Sequence, residues 1–306
     1  MLSLPMRSPP QAVEAVIERI RAVYSRWKRD TSAAQMRQDW DSFLWREVAG
    51  VRTTEVGVGA LKARWIDAAG ADASRVLLYF HGGGYKMGSS ASHHELMCRL
   101  SAVAGCRVLG LDYRLLPEHR FPAPLEDAAA AWSWLQEQGY APRQIVVAGD
   151  SAGGGLAAAL LLQLREAGAA LPAAAVLLSA LTDLETRGAS YDTRAARDPI
   201  HNRALIQALA RQYLGAEGDA RQPLASPLNG ELAGLPPLLL QVGDRETGLD
   251  DSVLFAQKAA AAGVPVTLEV WEGMIHVFQQ FPDELAEARD AVARIGAFLN
   301  HIWSTK

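Results

Sequence analysis

The stretch Ile145-Val146-Val147-Ala148-Gly149-Asp150-Ser151-Ala152-Gly153-Gly154-Gly155-Leu156 decides how the whole chain reads. Ile145 to Ala148 is a short, continuous apolar run rich in β-branched residues, the pattern of a strand buried on both faces. An Ala/Leu-rich helical stretch starts directly after the serine. A turn this sharp from strand to helix tolerates only small residues two before and two after Ser151. It leaves the hydroxyl exposed at a helix N-terminus, where the helix dipole favours developing negative charge. Gly149 to Gly153 therefore reads as a nucleophile elbow. A bare G-x-S-x-G is often just a turn, and it is the strand before and the helix after that select the elbow reading.

Working outward, similar apolar runs lie at Val76–Phe80, Val108–Leu111, Val176–Leu178, Leu238–Val242 and Val266–Val270. Helical stretches at about 93–104, 124–138, 152–168, 250–262 and 281–302 separate them, the first with Ser92 and Glu95 spaced as a capping box. Such alternation predicts an α/β fold, a mostly parallel sheet with helices on both faces. Two regions stand outside it. Gln11–Lys28 carries Val13, Val16, Ile17, Ile20, Val23, Tyr24 and Trp27 at helical spacing, and Met36–Trp45 adds Trp40, Phe43 and Trp45. Residues 185–222 hold helix-like sequence (Leu205, Ile206, Leu209, Tyr213, Leu214) with no intervening strand. The expected division is a helical cap from 1–48 and 185–222 over a core of 49–184 and 223–306, the cap lying at the carboxyl ends of the strands, where open α/β sheets bind ligands. Whether the first helix lines a pocket or only packs on the core stays open at this level.

His81-Gly82-Gly83-Gly84-Tyr85 follows the run that ends at Phe80. Consecutive glycines let backbone N–H groups approach a ligand, as an oxyanion hole requires, and Gly83, Gly84 and Ala152 are the expected donors. A phosphate loop would need a Lys-Ser/Thr pair after the glycines, and none is there. Of seven histidines, His276 is the best placed general base: it follows the last strand and lies beyond the elbow in chain order. His93 and His94, adjacent on a helix, face apart and make no metal pair. The acid that orients the base should follow Leu238–Val242, where Asp244, Glu246, Asp250 and Asp251 compete.

Bulk properties narrow the class. A 306-residue chain that is 49% hydrophobic and 21% charged, with net charge -4, is an ordinary globular protein with no basic field for nucleic acid. Met1–Pro10 lacks the apolar stretch of a signal peptide, no segment has the length of a membrane span, and a cytoplasmic location is the expectation. Cys98 and Cys106 are too few for a disulfide framework and read as buried thiols.

Together these motifs resemble the hormone-sensitive-lipase-like family of α/β-hydrolases, bacterial esterases with an H-G-G-G motif and a G-D-S-A-G elbow. The resemblance extends through Asp112-Tyr113-Arg114-Leu115-Leu116-Pro117-Glu118-His119-Arg120-Phe121-Pro122-Ala123, Ser226-Pro227-Leu228, Leu235-Pro236-Pro237 and Gly273-Met274-Ile275-His276-Val277-Phe278. It implies an α/β-hydrolase fold and a carboxylesterase acting on short- to medium-chain esters through Ser151, His276 and an acid. The family's Asp-Pro-Leu-x-Asp string lands on Glu246, with Asp250 as the later aspartate. Here Glu replaces Asp and Thr247 replaces Pro, which keeps Asp244 as an alternative. Tyr85 and Asp150 match positions that line or brace the site, Tyr113 and Arg114 match structural ones, and Trp40 and Phe43 are expected to shape the substrate pocket. A lactone hydrolase is the alternative nearest to this reading. A peptidase or amidase, or a binding protein without activity, is further away. The implied cycle needs no cofactor and no metal and its partner is a small ester; members of the family often pair through the edge strand and last helix, which leaves monomer and homodimer both open here, with the homodimer slightly favoured.

Overall fold

The computed structural model describes residues 7–305. Eight strands form one sheet in the order β1 (Val51–Val58), β2 (Leu61–Ala68), β4 (Cys106–Asp112), β3 (Asp72–Phe80), β5 (Ile145–Asp150), β6 (Ala175–Leu178), β7 (Leu238–Gly243) and β8 (Val266–Trp271). β1 and β2 make an antiparallel hairpin, β2 runs antiparallel to β4, and all further pairings are parallel. Apolar runs identify six of these strands and miss the hairpin. β1 lies at the sheet edge with Arg52 to Glu55 exposed, and β2 interleaves Lys62, Arg64 and Asp67 with its buried residues, so neither strand is continuously apolar. The signal that was present is the β-branched Val51 to Val58 followed by a turn at Gly59, whose φ is 59°.

Alternate residues of the central strands go to opposite faces. Leu77, Tyr79, Val146, Ala148 and Val176 pack with α3 (His94–Ala104) and α9 (Ala286–Ser304). Val76, Leu78, Phe80, Val147 and Leu177 pack with α4 (Ala123–Glu137), α5 (Ala152–Glu166) and α8 (Leu249–Ala261). This two-layer burial is why the strands read as unbroken apolar runs. The Ser92–Glu95 capping box does not form. α3 starts only at His94; the Ser92 hydroxyl accepts from the Ser89 N–H and donates to the Ser89 carbonyl, while Glu95 pairs with Arg99. A local serine turn has outcompeted the cap.

Between β6 and β7 the chain carries α6 (Ser190–Thr193) and α7 (Arg203–Leu214), the latter capped by Asn202, whose side chain accepts from the Leu205 N–H at 3.0 Å. Ahead of the sheet come α1 (Pro10–Tyr24) and α2 (Ala33–Leu44), the second capped by Ser32. The apolar face of α1 shares one cluster with Met274, Ile275 and Phe278 and with Leu285 and Ala288 at the start of α9. It thus covers the loop that carries His276. Each such buried aliphatic side chain contributes about 1.5–3 kcal/mol relative to exposure. Residues 1–6, which belong to the expected leaderless terminus and to the 1–48 segment, lie outside the described residues. Among those described, no helix is long and apolar enough to cross a membrane, and Cys98 and Cys106 are buried free thiols.

Candidate active site

Ser151 sits between β5 and α5 with φ 53° and ψ -120°, a left-handed backbone rare for a residue with a side chain. The crossing around it is tight: a Cβ at Gly153 would run into the carbonyl oxygen of Phe80, and one at Gly149 into that of Gly153. Small residues are therefore required by backbone contact on both sides of the serine. The Ser151 N–H donates to Leu178 O at 2.8 Å, and its own carbonyl accepts from Gly155 and Leu181. The serine is held between β6 and the first turn of α5 and remains 9% exposed.

The glycine loop after β3 is braced from below. Asp150, buried, accepts from the Gly82 N–H at 3.0 Å and from the Tyr79 hydroxyl at 2.8 Å, and meets His93 Nε2 at 3.1 Å. Burial opposes its charge, but His93 and these hydrogen bonds more than offset this and hold its carboxyl below the usual range. Tyr113 donates to the His81 carbonyl at 2.6 Å and stacks on the His81 ring. No acceptor among the described residues takes the N–H groups of Gly83 and Gly84. They border the cavity that Ser151 also lines.

His276 lies in the loop after β8, its side chain 13% exposed. Its Nδ1 meets Glu246 Oε2 at 2.7 Å. The other Glu246 oxygen accepts from the Gly243 N–H at 2.5 Å and from the Ser179 hydroxyl at 2.8 Å. Ser179 in turn accepts from the Val277 N–H at 3.1 Å, tying the loop of Glu246 to the loop of His276. Burial pushes the His276 imidazole down, but the Glu246 carboxylate and its hydrogen bond, with Asp198 and Asp150 further off, hold the pKa above its ordinary value. Of the competing acids, Asp244 accepts from the Gly273 N–H and pairs with Arg197, Asp250 accepts from the Ser190 N–H, and Asp251 accepts from the Thr182 and Asp183 N–H groups. Only Glu246 meets the histidine.

Ser151 and His276 open onto a cavity of about 290 Å³ walled by α1, α2 and α7, with Tyr24, Trp40 and Leu209 among its residues, and onto a second lobe of about 30 Å³ bordered by Ala180, Leu181 and Tyr191. Trp40 is thus at the wall. Phe43 stands one layer behind it, its ring 5.7 Å from that of Trp40, and Tyr85 is buried against Tyr213 with centroids 3.9 Å apart. Asp150 touches the cavity, but its carboxylate is engaged below the glycine loop. Sequence reasoning missed Ser179, Asp198 and His201. Ser179 follows the end of β6, a place where polar residues of a parallel sheet point toward a site. The other two carry no local signal.

Chemically, the arrangement offers a strained, partly exposed hydroxyl, an imidazole oriented by a buried carboxylate, and free backbone donors at the rim of an apolar cavity. Those are the parts of nucleophilic acyl transfer.

Residues 77–280 match a family described as having the alpha/beta hydrolase fold. The chain is 49% identical over 244 residues to an acetyl-hydrolase of Streptomyces hygroscopicus, covering 80% of this chain and 81% of that one. It is 35% identical over 251 residues to an esterase of Acinetobacter venetianus, with 82% and 79% covered. In three dimensions it is similar to an esterase from the bacterial hormone-sensitive lipase family, with a TM-score of 0.91, 45% identity, and 97% and 99% of the two chains covered.

Proposed function

The chain belongs to the alpha/beta hydrolase family, among its hormone-sensitive-lipase-like carboxylic-ester hydrolases, and from this premise we propose that it cleaves esters through a catalytic triad of Ser151, His276 and Glu246. The observation that carries the reading is the 2.7 Å contact between His276 Nδ1 and Glu246, made in the cavity that Ser151 lines. With Nδ1 bound to the carboxylate, Nε2 is left as the basic nitrogen. Ser151 Oγ attacks the ester carbonyl carbon while Nε2 takes its proton. The carbonyl oxygen, now an anion, rests on the N–H groups of Gly83, Gly84 and Ala152. Collapse expels the alkoxide, which takes the proton from His276 and leaves an acyl-serine. A water molecule, deprotonated by His276, attacks that ester and releases the acid and the free serine. Glu246 stabilises the imidazolium at both stages.

In this reading 1–48 and 185–222 act as the cap, since α1, α2 and α7 wall the larger lobe. Two lobes of unequal size meeting at the serine suit an ester with one small and one bulky apolar half. That a relative is an acetyl-hydrolase favours the acyl group as the small one. On p-nitrophenyl esters, turnover should be highest for acetate to butyrate and fall steeply toward decanoate. Ser151→Ala should lower kcat by roughly 10⁴-fold or more with the fold intact by circular dichroism. Turnover of p-nitrophenyl acetate by Ser151→Ala near the parent rate would remove the assignment.

A further inference from the structure

One residue at the site has no part in the triad yet touches its base. The rings of His201 and His276 meet edge to face, their centroids 4.3 Å apart at 86°. His201 comes from the segment between β6 and β7, and it lines both lobes beside Ser151. From this contact we infer that His201 is a positioning residue for the His276 imidazole, a prop that the 185–222 segment supplies to the catalytic core. The inference rests on the triad reading above.

The triad's own hydrogen bond does not fix the ring. One bond from Nδ1 to Glu246 leaves the imidazole free to tilt about the Nδ1–Oε2 axis, which swings Nε2 away from Ser151. A second ring packed at right angles occupies the volume into which it would tilt. The prop is itself anchored. Asp198 accepts from the Ile200 and His201 N–H groups, each at 2.9 Å, with one carboxylate oxygen. With the other it accepts from the Thr247 N–H at 2.7 Å and hydroxyl at 3.0 Å. Arg197 pairs with Asp244 at 3.2 Å. The loop of the prop is thereby clamped to residues 244 and 247, on either side of Glu246, so acid, base and prop share one frame.

Charge is arranged to suit. His276 is faced by Glu246 from the loop after β7, by Asp198 and His201 from the 185–222 segment, and by Asp150 from the end of β5. His201 is half-buried at the cavity wall, and its removal from bulk water together with His276 pushes its pKa down to about 3, against the pull of Asp198. It stays neutral when His276 takes the proton of Ser151, so the prop adds no second positive charge beside the imidazolium.

The test compares His201→Ala, His201→Phe, His201→Gln and Asp198→Asn with the parent and with Ser151→Ala, reading kcat, KM and the pH profile on p-nitrophenyl acetate, and the rate of labelling by a fluorophosphonate. A loose base costs chemistry rather than binding, so His201→Ala should lose roughly tenfold in kcat and in labelling rate while KM moves less than about twofold. His201→Phe, which restores a ring of similar shape, should return kcat to within about threefold of the parent. Asp198→Asn removes a negative charge facing the imidazolium, so the acid limb of kcat/KM should move to lower pH. If His201→Ala does not fold, His201→Phe and His201→Gln carry the comparison, the ring-bearing variant fast and the amide slow. Equal rates for Phe and Gln variants, or a rise in KM alone, would make His201 a substrate contact and end the inference. Retained turnover in Ser151→Ala would instead strike the triad reading, a separate outcome.

Discussion

Ser151 holds a backbone conformation that costs on the order of 1–3 kcal/mol and persists only because its surroundings enforce it. Its N–H and carbonyl are tied to Leu178, Gly155 and Leu181, so the strain is sustained by three bonds that the sequence does not advertise. The acid is a different case. Four carboxylates within eight residues look alike in sequence, and what separates them is which partner each finds. Glu246 reaches His276; Asp244 spends its oxygens on Gly273 and Arg197. Glu246→Gln should therefore cost roughly 10³- to 10⁴-fold in kcat, by presenting the wrong partner to Nδ1. Asp244→Asn should cost less than about tenfold, since it keeps the loop and loses one partly exposed ion pair. Steady-state kinetics on both variants checks this, and the opposite ranking would move the acid to Asp244. The chain-order rule locates Ser151 and His276 because each sits in a local pattern at a strand end. His201 has no such pattern, and its partner lies 75 positions away along the chain.

At the scale of elements, the first turn of α5 passes directly beneath the end of β3, and the glycines of the elbow exist for that approach. Gly153→Ala places a methyl group against the Phe80 carbonyl, where rigid backbone cannot yield. A cost on the order of 3 kcal/mol follows from overpacking of this kind. Gly168, just past the end of α5, makes the comparison: its φ is +63° and a Cβ there meets nothing. Gly168→Ala should cost only the left-handed backbone, about 1–2 kcal/mol. Urea denaturation of both variants tests the ranking, and equal losses would argue against contact as the reason for the glycine. Strands of the sheet centre were legible as apolar runs, and so was the edge strand β8 through Val266, Leu268 and Val270; the β1–β2 hairpin was not, because Arg52 to Glu55 in β1 and Lys62, Arg64 and Asp67 in β2 interrupt the run. The same limit applies to the Ser92 cap, where a nearby serine turn took the hydroxyl that a helix start would have used.

For the whole molecule, His81 and His201 contribute to how stability responds to acid. Burial and His93 push His81 down to about 4, and burial and His276 push His201 down to about 3. Both folded pKa values lie below the ordinary 6.5, so the unfolded chain takes up these protons first. The stability that depends on neutral imidazoles is complete above about pH 6.5 and is lost progressively as pH falls toward these folded values. His276, with its pKa raised, works the other way: its contribution is complete below the ordinary value and fades as pH rises through the raised one. Removing the His201 depression should therefore leave the Tm of His201→Phe less sensitive to acid than that of the parent between pH 7 and pH 5. Calorimetry at the two values decides it, and an equal drop in both proteins would remove His201 from the account. The sequence by itself determined the layered α/β architecture and picked out Ser151, the glycine loop and His276 as the residues on which the proposed triad is built, because each depends on residues within one strand end and the turn beyond it. Only the tertiary structure decided which of four carboxylates meets His276, that α1 covers the base's loop, and that a histidine from the 185–222 segment packs against the base. Those contacts join segments far apart in the chain, and such pairings are settled by packing and hydrogen-bond competition rather than by local pattern.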